Sequence, residues 1–213
     1  MSRADSLVVL DFETTGLSPD MGDRAIEIGA VKIENGVMTE QFQALMNPGR
    51  RVDSFIEGYT GISNAMLASA LPCADVMRSF AEFMGDSNLL AHNASFDKRF
   101  LDAEFNRIGH RYSGQFACSL LVSRRIFQNA PNHKLGTLVD YCNIESTGAY
   151  HRALYDSEMT AKLWLSILSD IRNQYELDEL PFSAIQKLCK TPKKSVSKFF
   201  TGLKASQSVS LST

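Results

Sequence analysis

The chain has 213 residues, 44% of them hydrophobic, with a formal charge of −2 at pH 7, which suits one ordinary core plus an appendage better than two full domains. No apolar stretch reaches the ~18 residues of a membrane-spanning helix. Met1 to Asp5 runs straight into a strand without a signal-peptide core, so a soluble, cytoplasmic protein that does not engage a membrane is expected. The four cysteines, Cys73, Cys118, Cys142 and Cys189, are scattered without a C-x-x-C pair, which disfavours both a zinc site and a disulfide framework.

Leu7 to Phe12 reads as a first strand, since Leu7-Val8-Val9-Leu10 is apolar on both faces, as strands covered on both sides are. A second strand is expected over Ala25 to Glu34, carrying Ile26, Ile28, Ala30 and Ile33, and a third over Val37 to Met46 after the turn Glu34-Asn35-Gly36. Beyond a Pro, Gly and Arg loop at Pro48 to Arg51 the pattern becomes helical at Ser63 to Ala70. It is helical again from Ala74 to Met84, where Val76, Phe80, Phe83 and Met84 share a face and Gly85-Asp86 stops the helix. Asn88 to Ala91 is a short apolar strand leading into a helix with Phe100, Leu101, Phe105 and Ile108. A last strand is expected at Phe116 to Leu120, then helices near Leu121 to Phe127, Lys134 to Cys142 and Arg152 to Ile171. The order predicts an α/β fold, a mixed sheet flanked by helices, with no internal repeat.

From Leu177 the composition shifts to Pro181, Pro192, many Ser and Thr, and the lysines 187, 190, 193, 194, 198 and 204, a run without Asp or Glu. With those six set aside, the 22 basic residues fall short of the 24 acidic ones by eight. An acidic body argues against gripping nucleic acid by bulk charge but not against a local groove or bound metal that meets phosphate. Residues 1–176 are therefore expected to form a catalytic-sized domain and 177–213 an accessory basic, Ser/Lys-rich tail. Gln186, Leu188, Val196, Phe199, Phe200 and Leu203 are spaced for short amphipathic helices in it.

Asp11 and Glu13 stand two residues apart at the exit of the first strand, so their side chains project to the same side, and Gly16 permits a tight turn just beyond. Two like charges that close call for a cation. A calcium loop matches Asp11, Glu13 and Gly16 at its positions 1, 3 and 6, but it fails at position 12, where Gly22 stands, and a strand precedes it where a helix is needed. Asp97 falls in the first turn of its helix, where alone it would serve the macrodipole, and His151 alone would be a solvated surface residue. Five residues apart, His151 and Asp156 would lie about 140° from one another on a helix turning ~100° per residue. His151 is therefore expected before the helix, with Asp156 pointing inward from it.

At these residues the chain resembles the DEDDh, or DnaQ-like, group of 3′–5′ exonucleases, typified by the proofreading epsilon subunit of bacterial DNA polymerase III. Its three motifs occur in order: D-x-E-T-T-G at Asp11 to Gly16, H-N-x-x-F-D at His92 to Asp97, and H-x-A-x-x-D at His151 to Asp156. Thr60-Gly61-Ile62, Arg124-Arg125 and His133-Lys134-Leu135 are further similar stretches, and the resemblance covers about Leu7 to Leu168.

The resemblance implies an RNase H-like fold with a five-stranded mixed sheet. It assigns Asp11, Glu13, Asp97 and Asp156 to two divalent metal ions, and hard oxygen ligands without a Cys/His cluster suit Mg²⁺ or Mn²⁺ rather than zinc. Two such ions, about 3.5–4 Å apart, clamp the attacking and leaving oxygens of an in-line displacement. His151 is then the general base, and an imidazole of reference pKa near 6.5 suits that task around neutrality. The backbone at Thr14, Thr15 and Gly16 and the side chain of Leu17 are expected at the terminal nucleotide, with Thr60, His92, Asn93 and Phe96 lining the pocket. A terminal base held by its face makes cleavage sequence-tolerant and favours single-stranded ends. Arg124, Arg125 and Lys134 are candidates for phosphate contacts or a solvated helix face.

The expected function is metal-dependent 3′–5′ exonuclease action on DNA 3′ ends that releases nucleoside 5′-monophosphates, by a stand-alone repair enzyme or a proofreading subunit. An RNA-trimming exoribonuclease is the alternative within the class, because the motifs do not read the sugar. A catalytically silent nucleic-acid or polymerase binding module is the alternative outside it, and five filled motif positions speak against that. Lys193 to Phe200 weakly resembles peptides that dock on sliding clamps but lacks the usual glutamine, so a basic disordered tail is the preferred reading, and a polymerase or sliding clamp is a candidate partner of the tail.

Overall fold

The computed structural model describes residues 2–210 except 147, 149, 150 and 178, with side chains described to residue 207; the expected tail's residues 178 and 211–213 thus lie outside the described residues. The strands are β1 (Leu7–Thr14), β2 (Ala25–Glu34), β3 (Val37–Asn47), β4 (Leu71–Pro72), β5 (Leu89–Ala91) and β6 (Phe116–Cys118). The helices are α1 (Ser54–Thr60), α2 (Asn64–Ser69), α3 (Cys73–Met84), α4 (Ser95–Arg107), α5 (Ser119–Ile126), α6 (Leu135–Tyr141), α7 (Ala153–Tyr175), α8 (Phe182–Lys190) and α9 (Val196–Ser210). The strands form one mixed sheet in the order β4-β3-β2-β1-β5-β6, with β1 antiparallel to β2 and parallel to β5.

The sheet has six strands rather than five, the addition being β4, two residues paired with the end of β3. The β2–β3 turn places Asn35 at φ 52° and Gly36 at φ 80°, and two left-handed residues match the twist of a two-residue hairpin. The helix α1 is not among the elements expected from the sequence, whereas the other expected elements stand within a few residues of their places.

The two faces of β1 pack against different helices. Leu7 and Val9 belong to a cluster with Trp164, Ile167 and Leu168 of α7, while Val8, Leu10 and Phe12 pack with Phe80 of α3 and Phe100 of α4. The period of two therefore sends Asp11 and Glu13, in step with Leu7 and Val9, to the face that α7 covers. At Gly29 of β2, the partner of Asp11 in the ladder, a Cβ would stand 2.0 Å from the Leu154 nitrogen and 2.1 Å from the Ala153 carbonyl carbon. Only a residue without a side chain lets the first turn of α7 lie on the sheet there, and Ser157 Oγ donates to the Gly29 carbonyl at 2.8 Å.

The segment expected as an accessory tail is helical and shares the α7 core. Ile185 and Leu188 of α8 and Val196 and Phe200 of α9 are buried, and Phe200 stacks on Tyr175 at 4.3 Å. The apolar side chains that a clamp-docking peptide would present are thus spent inside the fold. The four cysteines are free, and among the described residues no helix is long and apolar enough to cross a membrane.

Candidate active site

Asp11, Glu13 and Asp156 each place a carboxylate oxygen so that the three lie within 4.8 Å of one another. Two arrive on consecutive outward positions of β1 and the third from the first turn of α7, as the alternation of β1 and the close approach at Gly29 dictate. Asp97 comes from the opposite side. It opens α4 just past β5, the parallel neighbour of β1, and its Oδ1 accepts from the Phe12 N–H at 3.2 Å. It stands outside the tight trio, but its charge acts on Asp11. The site thus sits beyond the carboxyl ends of two adjacent parallel strands, where open α/β sheets leave a crevice.

These four acids resist ionisation. Burial raises Asp11 well above the usual carboxylate range, reinforced by the charges of Asp97, Asp156 and Glu13. Glu13 is pushed up to about 8, first by burial and then by Asp156 and Glu27. Asp97 is raised by burial to about 7 against the hydrogen bond from Phe12, and burial also raises Asp156. Among the described residues no Lys or Arg forms an ion pair with any of them, whereas other buried acids do. Hard oxygen donors crowded together without a counter-charge fit a divalent cation such as Mg²⁺ or Mn²⁺.

The start of α7 is held by a residue the motifs do not contain. Glu27 of β2, wholly buried and opposite Glu13 in the ladder, accepts from Arg152 Nε (3.2 Å) and Nη2 (2.8 Å) and from the Ala153 N–H (3.1 Å). A carboxylate at a helix N-terminus answers both the orphan donor and the macrodipole. Asp156 Oδ2 in turn accepts from the backbone N–H groups of His151 (2.8 Å) and Arg152 (3.2 Å), which leaves its other oxygen for the trio. His151 precedes the helix as expected, exposed, with φ 72° in the left-handed region. Its ring lies 4.2 Å from that of Tyr59, which stacks on Phe55 at 6.0 Å.

A cleft of about 1100 Å³ opens over the carboxylates, and His151 lines it. Thr14, Gly16, Leu17, Thr60, His92, Asn93 and Phe96 line it too. Leu17 is 78% exposed, and Phe96 is half-buried against Phe100 at 5.0 Å. Thr14 Oγ1 donates to the Gly16 carbonyl at 2.6 Å and so shapes the turn. Thr15 is not at the cleft; its hydroxyl is bound to Asp23, Arg50 and the Arg24 N–H.

His92 lines the cleft with both ring nitrogens engaged. Nε2 donates to the His133 carbonyl at 3.0 Å, and Nδ1 lies 2.9 Å from the Ser119 hydroxyl, which also reaches the Ala91 carbonyl at 3.2 Å. Burial lowers its pKa to about 4, so the ring is neutral and ties the β5–α4 turn to α5. Asn93 takes φ 69° in that turn. Arg124 and Lys134 reach the cleft, whereas Arg125 is spent on the Thr191 and Leu121 carbonyls. Phe55 and Tyr59, missed with their helix, carried a signal in the Asp53 cap and the i,i+4 aromatic pair.

The exonuclease family of the RNase T type matches residues 8–164. The chain belongs to this exonuclease family, and its three motifs are those of the DEDDh group. It is 40% identical over 168 residues to the PolC-type DNA polymerase III of Bacillus subtilis, covering 78% of this chain and 12% of the relative. The corresponding Staphylococcus aureus protein is 36% identical over 181 residues, or 84% of this chain and again 12% of the relative. The chain thus spans about an eighth of the length of these curated relatives. Among solved structures, exonuclease X in complex with 5′ overhanging duplex DNA superposes with a TM-score of 0.67 at 24% identity, over 86% of this chain and 99% of that one. The nuclease domain of 3′hExo bound to rAMP gives 0.68 at 19%, over 78% and 92%. Both likenesses bear on the fold, which is the RNase H-like arrangement of exonucleases.

Proposed function

We propose that this protein is a metal-dependent 3′–5′ exonuclease that removes nucleoside 5′-monophosphates from DNA 3′ ends, single-stranded ends foremost. The observation that carries this reading is the convergence of Asp11, Glu13 and Asp156 within 4.8 Å, with Asp97 beside them, under a cleft rimmed by His151. Two Mg²⁺ or Mn²⁺ ions bound by these four acids would neutralise them and polarise the scissile phosphate and the attacking water. His151 takes the water's proton at its imidazole as the oxygen adds in line to phosphorus and the bond to the 3′ oxygen breaks. The exposed side chain of Leu17 and the ring of Phe96 hold the terminal base by its face, while Thr14 and Gly16 meet the sugar end. Thr60 and Asn93 close the pocket wall, and His92 fixes the turn that carries Asn93 and Asp97.

The PolC-type relatives are named as DNA polymerases, which favours DNA over RNA and a role linked to replication, stand-alone or polymerase-associated. An RNA reading draws on the structural neighbour bound to rAMP. Matched 5′-labelled DNA and RNA single strands, incubated with Mg²⁺, Mn²⁺ or EDTA, separate these readings. The DNA strand should shorten from its 3′ end only with metal, and an Asp11→Asn preparation should be inert. Equal or faster loss of RNA would move the substrate to RNA, and intact strands of both kinds would overturn the exonuclease reading.

A further inference from the structure

Resting on that reading, we propose that the cleft continues into a basic ridge, formed by the end of α5 and the α8–α9 junction, which holds the sugar-phosphate backbone of the substrate strand upstream of the bond being cut. Arg124, near the end of α5, lines the cleft, and the next residue, Arg125, donates to the Thr191 carbonyl at 2.7 Å. Gln128 donates to the Lys193 carbonyl at 3.4 Å. The junction carrying Lys190, Lys193 and Lys194 is therefore fastened directly to the end of a helix whose neighbouring side chain faces the active site. Gln186 and Cys189 of α8 fix the same element to the Phe116 and Cys118 carbonyls of β6.

What sets this region apart is the clustering of unpaired cations. On the rest of the fold Arg24, Lys32, Arg78, Arg107 and Arg152 each hold a carboxylate, while Arg51, Arg99, Arg111 and Lys162, which form no ion pair among the described residues, are scattered along the chain. Lys187, Lys190, Lys193, Lys194 and Lys198 are exposed and form no ion pair among the described residues, and no Asp or Glu follows Glu179 in the chain. On a protein of net charge −2, an uncompensated cluster of this kind is where a polyanion is drawn. Val196 and Phe200 face inward, so the junction offers a partner ammonium groups and hydroxyls rather than an apolar anchor. That surface suits repeated phosphates read without regard to sequence, and it favours a nucleic-acid backbone over a protein partner. The α8–α9 unit lies beyond the residues 8–164 that the exonuclease family matches, so the ridge is an extension of the family's cleft.

The test uses the full chain with Lys193→Ala and Lys194→Ala together, against a control of equal charge change, Lys32→Ala with Arg78→Ala. Binding of a labelled single strand of about 20 nucleotides is followed by anisotropy in EDTA across a salt series. The ridge pair should weaken binding several-fold and reduce the slope of log K against log salt by about 0.7 for each phosphate no longer neutralised, hence by about 1.4, with the control unchanged. In Mg²⁺ its loss of hydrolysis should grow from a trinucleotide to the long strand. A slope like that of wild type, or an equal loss at both lengths, would overturn the ridge. Lys190→Ala with Lys198→Ala, on the flanking helices, repeats the measurement at independent positions. Should wild type bind the strand but cut neither substrate, the exonuclease reading falls while the salt slope still decides the ridge.

Discussion

Asp5, Glu27 and Glu104 are as deeply buried as Asp97, yet the first three are paired with cations and Asp97, among the described residues, is not. Asp5 is gripped by Arg3 and Arg172, Glu27 by Arg152, and Glu104 by Arg24, whose Nε and Nη2 reach its two oxygens at 2.7 and 2.9 Å. Asp11, Glu13, Asp97 and Asp156 have no such partner among the described residues, and all four are shifted toward the protonated form. Burial alone does not distinguish a structural acid from a functional one. The difference lies in whether the fold supplies the cation or leaves it to come from outside.

The largest effect should follow from breaking the unpaired set. Asp11→Asn should lower DNA hydrolysis by on the order of 10⁴ or more, the scale at which groups acting as one unit fail. In EDTA the same variant should melt about 2–4 °C higher, because one of the repelling carboxylates is gone. A lower melting temperature in EDTA would mean that the four acids are not in conflict. Next, His151→Ala should reduce the single-turnover rate by roughly 10² to 10⁴. The stabilisation that Mg²⁺ gives the folded protein should survive, since His151 stands outside the carboxylate trio. Loss of that stabilisation would make His151 part of the metal site rather than the base.

Breaking a paired acid should act on stability first. Arg152→Ala leaves Glu27 buried without its cation and should cost about 2 kcal/mol in urea unfolding, below the ~3–5 of a fully buried pair because the Arg152 side chain is 41% exposed. A change below about 0.5 kcal/mol would show that Glu27 is held by its other donors alone.

The pH dependence should separate the groups by sign and give the smallest effect. Glu13, raised from 4.5 to about 8, binds more protons folded than unfolded between those values, so its contribution in EDTA falls as pH rises from about 4.5 to 8, and Mg²⁺ should flatten that slope. Asp5 is depressed to about 2, chiefly by its hydrogen bond from Arg3. Its contribution is fully present above about pH 4 and is lost as pH falls through 2. Asp5→Asn should shrink the acid limb of the thermal-melting profile, part of which Asp23 also carries, and leave the neutral limb intact.

Much of this arrangement was legible in the chain because two periods and three motifs carried it. The both-sided apolar run of β1 and the Asn35-Gly36 turn mark the hairpin, and the position of His151 ahead of its helix follows from its spacing to Asp156. Helix α1 was hidden by Gly58, Tyr59 and Thr60, weak helix formers that override the Asp53 cap in any reading by propensity. Glu27 looks like an ordinary polar position in an alternating strand. Only the ladder register, which sets it opposite Glu13, and the long-range bond to Arg152 reveal it. The lysine-rich end shows its helical spacing at Leu188, Val196 and Phe200, but nothing local in the chain reveals that this apolar face packs on α7.

Gly29 makes no bond to a substrate and has no side chain with which to make one. The atom it lacks nonetheless sets how far Asp156 stands from Asp11, since a methyl group there would collide with the backbone of Ala153 and Leu154. A Gly29→Ala protein that still folds would have its fourth carboxylate lifted away like a jaw held open by a shim. Mutational scans scored by activity would then report position 29 as part of the catalytic apparatus, although its contribution is purely one of distance.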